Sequence, residues 1–309
     1  MGVSENAARE TIAVVGLGSI GGIIAAALCA AGRHDVIACV RKPIDGLTLE
    51  RPSGAVEVAI RSLTNPAAAV LVEWVFLCTK VHHTASVVPW LAKLCDPHTR
   101  VAVLQNGIGH AERLAPYVNG ATVVPIIVYY NGERLAPDRV RFRRAGDHDL
   151  VARDDKDGHA FAALLDGTQM RILFGDDFHT LAWRKLLINA VGNPITALTQ
   201  QRQAVLRRAD VKELCLAILA EVDTVARADG AHLADDEPAQ VMARLMTFPP
   251  DAGTSMYFDR LAGRPLEIEA ITGAIVAAAE RHNIPTPLNR ALLTLLRTVS
   301  ESGENRPSA

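Results

Sequence analysis

The chain lacks an excess of charge of either sign: 32 lysines and arginines stand against 34 aspartates and glutamates, for a formal net charge of −2. That balance gives no reason to expect a nucleic-acid or membrane surface. Long hydrophobic runs are missing too, since none approaches the roughly 20 residues that a bilayer crossing needs. The stretch Met1 to Glu10 is polar and carries acids, unlike a secretory leader. A soluble, cytoplasmic protein is the expectation. Cysteine is scarce and unpaired in pattern: Cys29, Cys39, Cys78, Cys95 and Cys215 are scattered, odd in number and mostly set in apolar segments, with no CxxC pair. They read as reduced core residues, and no metal is expected. His82 and His83 are adjacent, so on a regular element they point in different directions and carry little weight as ligands. Internal repeats and low-complexity tracts are absent.

What is present begins at Thr11 to Gly22, which reads TIAVVGLGSIGG. Ile12, Ala13, Val14 and Val15 form a strand apolar on both faces, as in a buried parallel sheet. The GxGxxG turn follows at once. Gly16 permits the tight exit, Gly18 lets backbone approach a pyrophosphate, and Gly21 lets the next helix pack on the strand. With Leu17, Ser19 and Ile20 these glycines are the candidate phosphate cradle, at the N-terminus of a small-residue helix through Ala30. A second strand, Asp35 to Val40, ends where NAD-binding proteins place an acid on the adenosine ribose. Here stand Arg41 and Lys42. A guanidinium grips a 2′-phosphate with paired hydrogen bonds, so the position favours NADP(H); a solvated basic turn is the alternative.

A chain of 309 residues is long enough for two domains with sizeable cores. Strand and helix patterns alternate through the first part: strands within Val70 to Cys78, Arg100 to Leu104, Ala121 to Tyr130, Val140 to Ala145 and Met170 to Phe174, and helices over Ala85 to Leu94 and His159 to Leu165. From Phe178 the periodicity is helical over Thr180 to Ala197, Val211 to Ala228, Glu237 to Met246, Ser255 to Ala262, Leu266 to Arg281 and Pro287 to Thr298. The expected plan is α/β: a doubly wound, Rossmann-type sheet over residues 1–175, then an all-helical domain over 176–309. The tail from Ser302 is polar and expected to be mobile.

Lys185, Asn189 and Asn193 recur every four residues and so share one helix face, flanked by Leu186, Leu187, Ile188, Ala190 and Val191. A solvated stripe is one explanation. The asparagines are poor helix formers, the flanks are too apolar for a surface helix, and Pro194 is expected to kink or end the helix. A buried stripe pointing into a cleft fits better, and a partly desolvated amine there can deliver a proton near neutral pH. Lys80 and Asn106-Gly107 follow strand carboxyl ends, the ligand side of an open α/β sheet, although each could be a plain turn. Ser255 at a helix start is expected to be an N-cap, and Glu267 and Glu269 to be solvated.

Taken together, the GLGSIGG turn with Arg41, Cys78-Thr79-Lys80, Gln105-Asn106-Gly107-Ile108-Gly109, Lys185 to Asn189 running on to Asn193-Pro194-Ile195-Thr196-Ala197, and Ser255-Met256 with Glu267-Ile268-Glu269 resemble the ketopantoate reductase (2-dehydropantoate 2-reductase) family, in order and over nearly the whole chain. The resemblance implies NADPH-dependent reduction of a branched 2-oxo acid to a 2-hydroxy acid, in pantothenate and coenzyme A biosynthesis, in a cleft that closes on both ligands. It implies Lys185 as proton donor and Glu267 as a second catalytic residue. Asn106, Asn189, Asn193 and Ser255 match substrate contacts. Lys80, Asn106 and Glu267 match positions near the nicotinamide ribose or the substrate hydroxyl, while Gly16 to Gly21 and Arg41 match the pyrophosphate and 2′-phosphate contacts. Where the family often carries Asn-Gly pairs, this chain has Gln203-Ala204 and Thr272-Gly273, and Ile126 to Asn131 matches only loosely; the precise 2-oxo acid stays open. A non-catalytic NADP(H) sensor would need only the cofactor residues, and another two-domain dehydrogenase would not need the Lys185 helix. The partner is a small molecule; the apolar helical domain offers a homodimer surface, with the oligomeric state open.

Overall fold

The computed structural model describes residues 9–304; most of the N-terminal polar stretch and the end of the C-terminal tail lie outside them, and Ser302 to Glu304 continue a helix. Two compact units result, one formed by residues up to Gln105 together with Gly109–Asp176, the other by Asn106–Ile108 together with the chain from Asp177 onward.

The first unit is built on a six-stranded parallel sheet. Numbered in chain order, its strands are β1 (Thr11–Val15), β2 (Asp35–Cys39), β3 (Arg61–Leu63), β4 (Trp74–Leu77), β5 (Arg100–Val103) and β6 (Thr122–Pro125). They lie in the order β3-β2-β1-β4-β5-β6, the doubly wound arrangement in which strand order reverses beside β1 and ligands bind beyond the carboxyl ends. Alternation along each strand feeds two cores. Ile12, Val14, Trp74 and Phe76 join one layer with helix α1 (Ser19–Ala31), while Ala13, Val15, Val75 and Leu77 join another with α2 (Thr84–Leu94). The short helix α3 (His110–Leu114) follows β5, and α4 (Lys156–Leu164) packs against the strand Leu150–Arg153.

Several elements of this unit lie outside the sequence expectation, among them β3, α3 and the strand Leu150–Arg153, and two further departures change its layout. Residues 46–59 form a hairpin, Gly46–Arg51 with Gly54–Ala59, which joins Asn131–Ala136 and Arg139–Arg143 in a four-stranded sheet laid over α1. Its alternation is muted because Gly54–Ala59 is largely exposed, so periodicity gave no signal. The expected strand Ala121 to Tyr130 is two: the chain leaves the central sheet at Pro125, and Ile127–Val128 pairs antiparallel with Leu150 and Val151 in a separate three-stranded sheet.

The second unit is helical: α5 (Phe178–Thr199), α6 (Ala209–Ala228), α7 (Glu237–Thr247), α8 (Ser255–Leu261), α9 (Ala274–Arg281) and α10 (Pro287–Glu304). Helix α5 is its axis, packed by α6, α7, α8 and α10. Of the two outcomes expected at Pro194, a kink or an end, the second does not occur: α5 runs through the proline to Thr199. Burial of Trp183, Leu187, Ala190, Val191, Ile195 and Ala197 outweighs the missing N–H. The expected helix Leu266 to Arg281 is α-helical only from Ala274: a π-turn over Glu269–Gly273, marked by Gly273 N–H donating to the Ile268 carbonyl at 2.9 Å, leads into α9. No helix among the described residues is long and apolar enough to cross a membrane. The five cysteines are free, and burial pushes each thiol up, Cys29 and Cys215 to about 11 and Cys39 and Cys95 to about 12.

Candidate functional site

In the first unit the glycine turn sits at the carboxyl end of β1, where strand order reverses. Gly16 has φ +96°, and a side chain on it would strike the Thr79 Cγ2 at 2.5 Å and the Thr79 nitrogen at 2.9 Å. Gly21 lies against the Gly16 carbonyl oxygen and 2.8 Å from the Cys78 Cβ, measured from where its own Cβ would be. At Gly18 a side chain would meet nothing of the protein within 4 Å. Two glycines therefore serve internal packing, and the third leaves a void at the N-terminus of α1. No side chain caps that terminus and its first turn holds no acid, so its N–H groups and dipole favour an anion. Leu17 is buried beneath the turn, with Ser19 and Ile20 half-buried.

Arg41 follows β2 and is exposed; half-buried Lys80 follows β4 and opens a 3-10 turn, Val81–His83. His83 titrates below its usual range through partial desolvation and the nearby charges of Arg41 and Lys80. The His82 and His83 rings pack edge to face, with centroids 4.4 Å apart. The pair thus belongs to a positively charged strand end, which adjacency in sequence could not reveal. These groups and the glycine cradle suit a nucleotide carrying phosphates.

In the second unit, the segment Asn106–Ile108 is fastened to the chain before the π-turn. Asn106 Nδ2 donates to Glu267 Oε2 at 3.1 Å across 161 positions of sequence. Gly107, at φ +99°, brings its backbone against the Ala270 carbonyl, leaving no room for a side chain. The acids separate sharply: Glu267 is 8% exposed, while Glu269 lies outside and accepts from Arg297 at 2.8 and 2.9 Å. Only Glu269 meets the expectation of a solvated acid.

Along α5, Asn189 and Asn193 are buried at 9% and 6% exposure, and Lys185 is half-buried one turn earlier. Neither asparagine amide has a side-chain hydrogen bond among the described residues, which leaves both free to bind a ligand. Burial lowers the Lys185 ammonium to about 8, and the positive charge of Arg244 adds to the effect. Ser255 is not the cap of α8. That role falls to Thr254, whose Oγ1 accepts from the Tyr257 N–H at 3.1 Å. Thr254 also shares a 2.7 Å hydrogen bond with Thr196 Oγ1, and Gly192 leaves room for its methyl group. The start of α8 is thereby fixed to the Asn193 end of α5, with Ser255 an exposed residue next in the chain. Gln203 is buried with Oε1 lacking a partner, and Thr272 is fully buried with Oγ1 likewise unpartnered.

Comparison with known proteins gives a consistent result along the chain. Residues 12–153 match the family model described as "Ketopantoate reductase PanE/ApbA", and residues 177–300 match "Ketopantoate reductase PanE/ApbA C terminal". The chain is 36% identical over 290 residues to a 2-dehydropantoate 2-reductase of Caulobacter vibrioides, covering 94% of this chain and 99% of that one. It is 37% identical over 297 residues to the 2-dehydropantoate 2-reductase of Mycobacterium tuberculosis, covering 94% and 98%. Among solved structures, a dimeric ketopantoate reductase from Staphylococcus aureus superposes with a TM-score of 0.84 at 27% identity, covering 95% of this chain and 99% of that one.

Proposed function

The chain belongs to the ketopantoate reductase family, and from that premise we propose that it reduces 2-dehydropantoate to pantoate with NADPH, as a step toward pantothenate and coenzyme A. The observation that carries the proposal is the row Lys185, Asn189 and Asn193 on the central helix of the second unit, in a chain whose first unit holds an open glycine cradle.

Gly16 to Gly21 and the N-terminus of α1 would hold the pyrophosphate, and Arg41 the 2′-phosphate that distinguishes NADPH from NADH. Lys80, Asn106 and Glu267 would contact the nicotinamide ribose or the substrate hydroxyl. When bound, the reduced nicotinamide supplies a hydride to the ketone carbon. Lys185 meets the other half of the demand. As the C=O bond is reduced, charge develops on oxygen, and the ammonium stabilises it and then transfers a proton, giving the 2-hydroxy acid and a neutral amine. An amine held near 8 is protonated at neutral pH yet gives up its proton readily. Asn189, Asn193, Asn106 and Ser255 supply neutral donors and acceptors for the carboxylate and hydroxyl of the substrate. Glu267, holding Asn106, orients that amide.

A second copy of this chain is the protein partner we propose, by analogy with the dimeric Staphylococcus aureus enzyme. The five free thiols support a reducing compartment such as the cytoplasm. The test is steady-state NADPH oxidation with 2-dehydropantoate and a panel of other 2-oxo acids. Highest kcat/KM for 2-dehydropantoate is expected; preference for another 2-oxo acid would reassign the substrate, and no turnover of any would overturn the activity.

A further inference from the structure

Behind the nucleotide cradle lies a chain of hydrogen bonds that the proposed chemistry does not use. Gln105 is buried at the end of β5, and its Nε2 donates to the Thr79 carbonyl at 2.6 Å. Its Oε1 accepts from Arg113 Nη2 at 2.7 Å. Arg113, on α3, also donates through Nη1 to Thr84 Oγ1 at 3.1 Å, and its Nη2 lies 3.0 Å from His110 Nδ1. Thr84 in turn donates to the Val81 carbonyl at 2.7 Å, closing the turn that Lys80 opens. None of these partners of Arg113 is a carboxylate. A partly buried guanidinium with no carboxylate among these partners gains no ion pair to offset its desolvation, so its place has another explanation.

Thr79 gives one. Its backbone and methyl group are the wall against which Gly16 packs, and Lys80 is its neighbour in sequence. Holding the Thr79 carbonyl therefore fixes both the depth of the glycine turn and the direction in which Lys80 leaves β4. Gln105 can hold that carbonyl with Nε2 only while its amide is oriented, and Arg113, a donor with no acceptor, selects that orientation by taking Oε1. We propose that Arg113 is a positioning residue for the nucleotide site: through Gln105 it locks the Thr79 peptide, and so presets the cradle and Lys80 for a phosphate-bearing dinucleotide. The proposal rests on the nucleotide reading of that cradle, although not on the identity of the 2-oxo acid.

The experiment is NADPH titration by fluorescence with Arg113→Met, Gln105→Ala, the double variant and Arg113→Lys, each checked for fold by circular dichroism. Arg113→Met and Gln105→Ala are each expected to raise Kd about tenfold. Because they cut one chain, the double variant is expected to raise it no further than the worse single one. Arg113→Lys keeps the charge and one bond to Gln105, and is expected to recover most of the affinity even if Arg113→Met fails to fold. Multiplying effects in the double variant would overturn the relay, as would a normal Kd for Gln105→Ala, which alters no charge. A wild-type protein that binds no NADPH would instead overturn the nucleotide reading itself, and the relay with it.

Discussion

Lys185 costs the fold something to keep. Its ammonium, lowered by burial to about 8 from an ordinary 10.5, is protonated below pH 8 in both folded and unfolded chains, so its unfavourable contribution there is constant. Between those values the unfolded chain keeps the proton and the folded chain does not, and stability is expected to rise with pH through that window. Lys185→Met is therefore expected to gain on the order of 1 kcal/mol at pH 7, read as a higher Tm, while kcat falls by about 10²- to 10⁴-fold. In the wild type, kcat/KM should fall as pH rises through about 8. A flat profile, or undiminished turnover in Lys185→Met, would remove the lysine from its role. Arg41 makes the complementary case at an exposed position: Arg41→Asp is expected to weaken NADPH binding by about 10- to 100-fold and to spare NADH. Lys185 and Arg41 were legible in the sequence because helix period and strand end mark their positions. His83, Gln105 and Thr254 were not, since their meaning lies in partners that the fold brings in, Thr254 meeting Thr196 across 58 positions.

At the scale of the element, the glycine turn is expected to separate binding from folding. Gly18→Ala adds a methyl group to open space at a backbone angle, φ −74°, that alanine accepts. Its Tm should match the wild type while NADPH affinity drops. Gly21→Ala must push the Gly16 carbonyl or Cys78 aside, with an expected loss of about 1–3 kcal/mol of stability. Equal effects of the two substitutions on Tm would contradict this division. The β1 turn and α1 could be read from sequence because strand period, glycine spacing and helix pattern agree there. The hairpin over α1 could not, because one of its strands is largely exposed and its partner strands come from residues 131–143. At Pro194 local propensity argues for a kink or an end, and the buried surroundings of α5 carry the helix on past it.

For the whole molecule, each unit has its own core, and two unfolding steps are expected in calorimetry. NADPH at 100 times its Kd should stabilise the first unit by about 2.7 kcal/mol. Leu219→Ala, in the core of the second unit, should lower the other step by about 2–5 kcal/mol. A single transition moved equally by both would show the units to be one cooperative body. The cysteines set a final consequence at this scale. The reactive form of a thiol is the thiolate, and all five are held away from it by burial. A maleimide dye should therefore leave the native protein almost unmarked and attach first to a cysteine introduced on the exposed hairpin tip, as in Ser53→Cys, so that one optical reporter can be placed on the molecule without first removing its own sulfur.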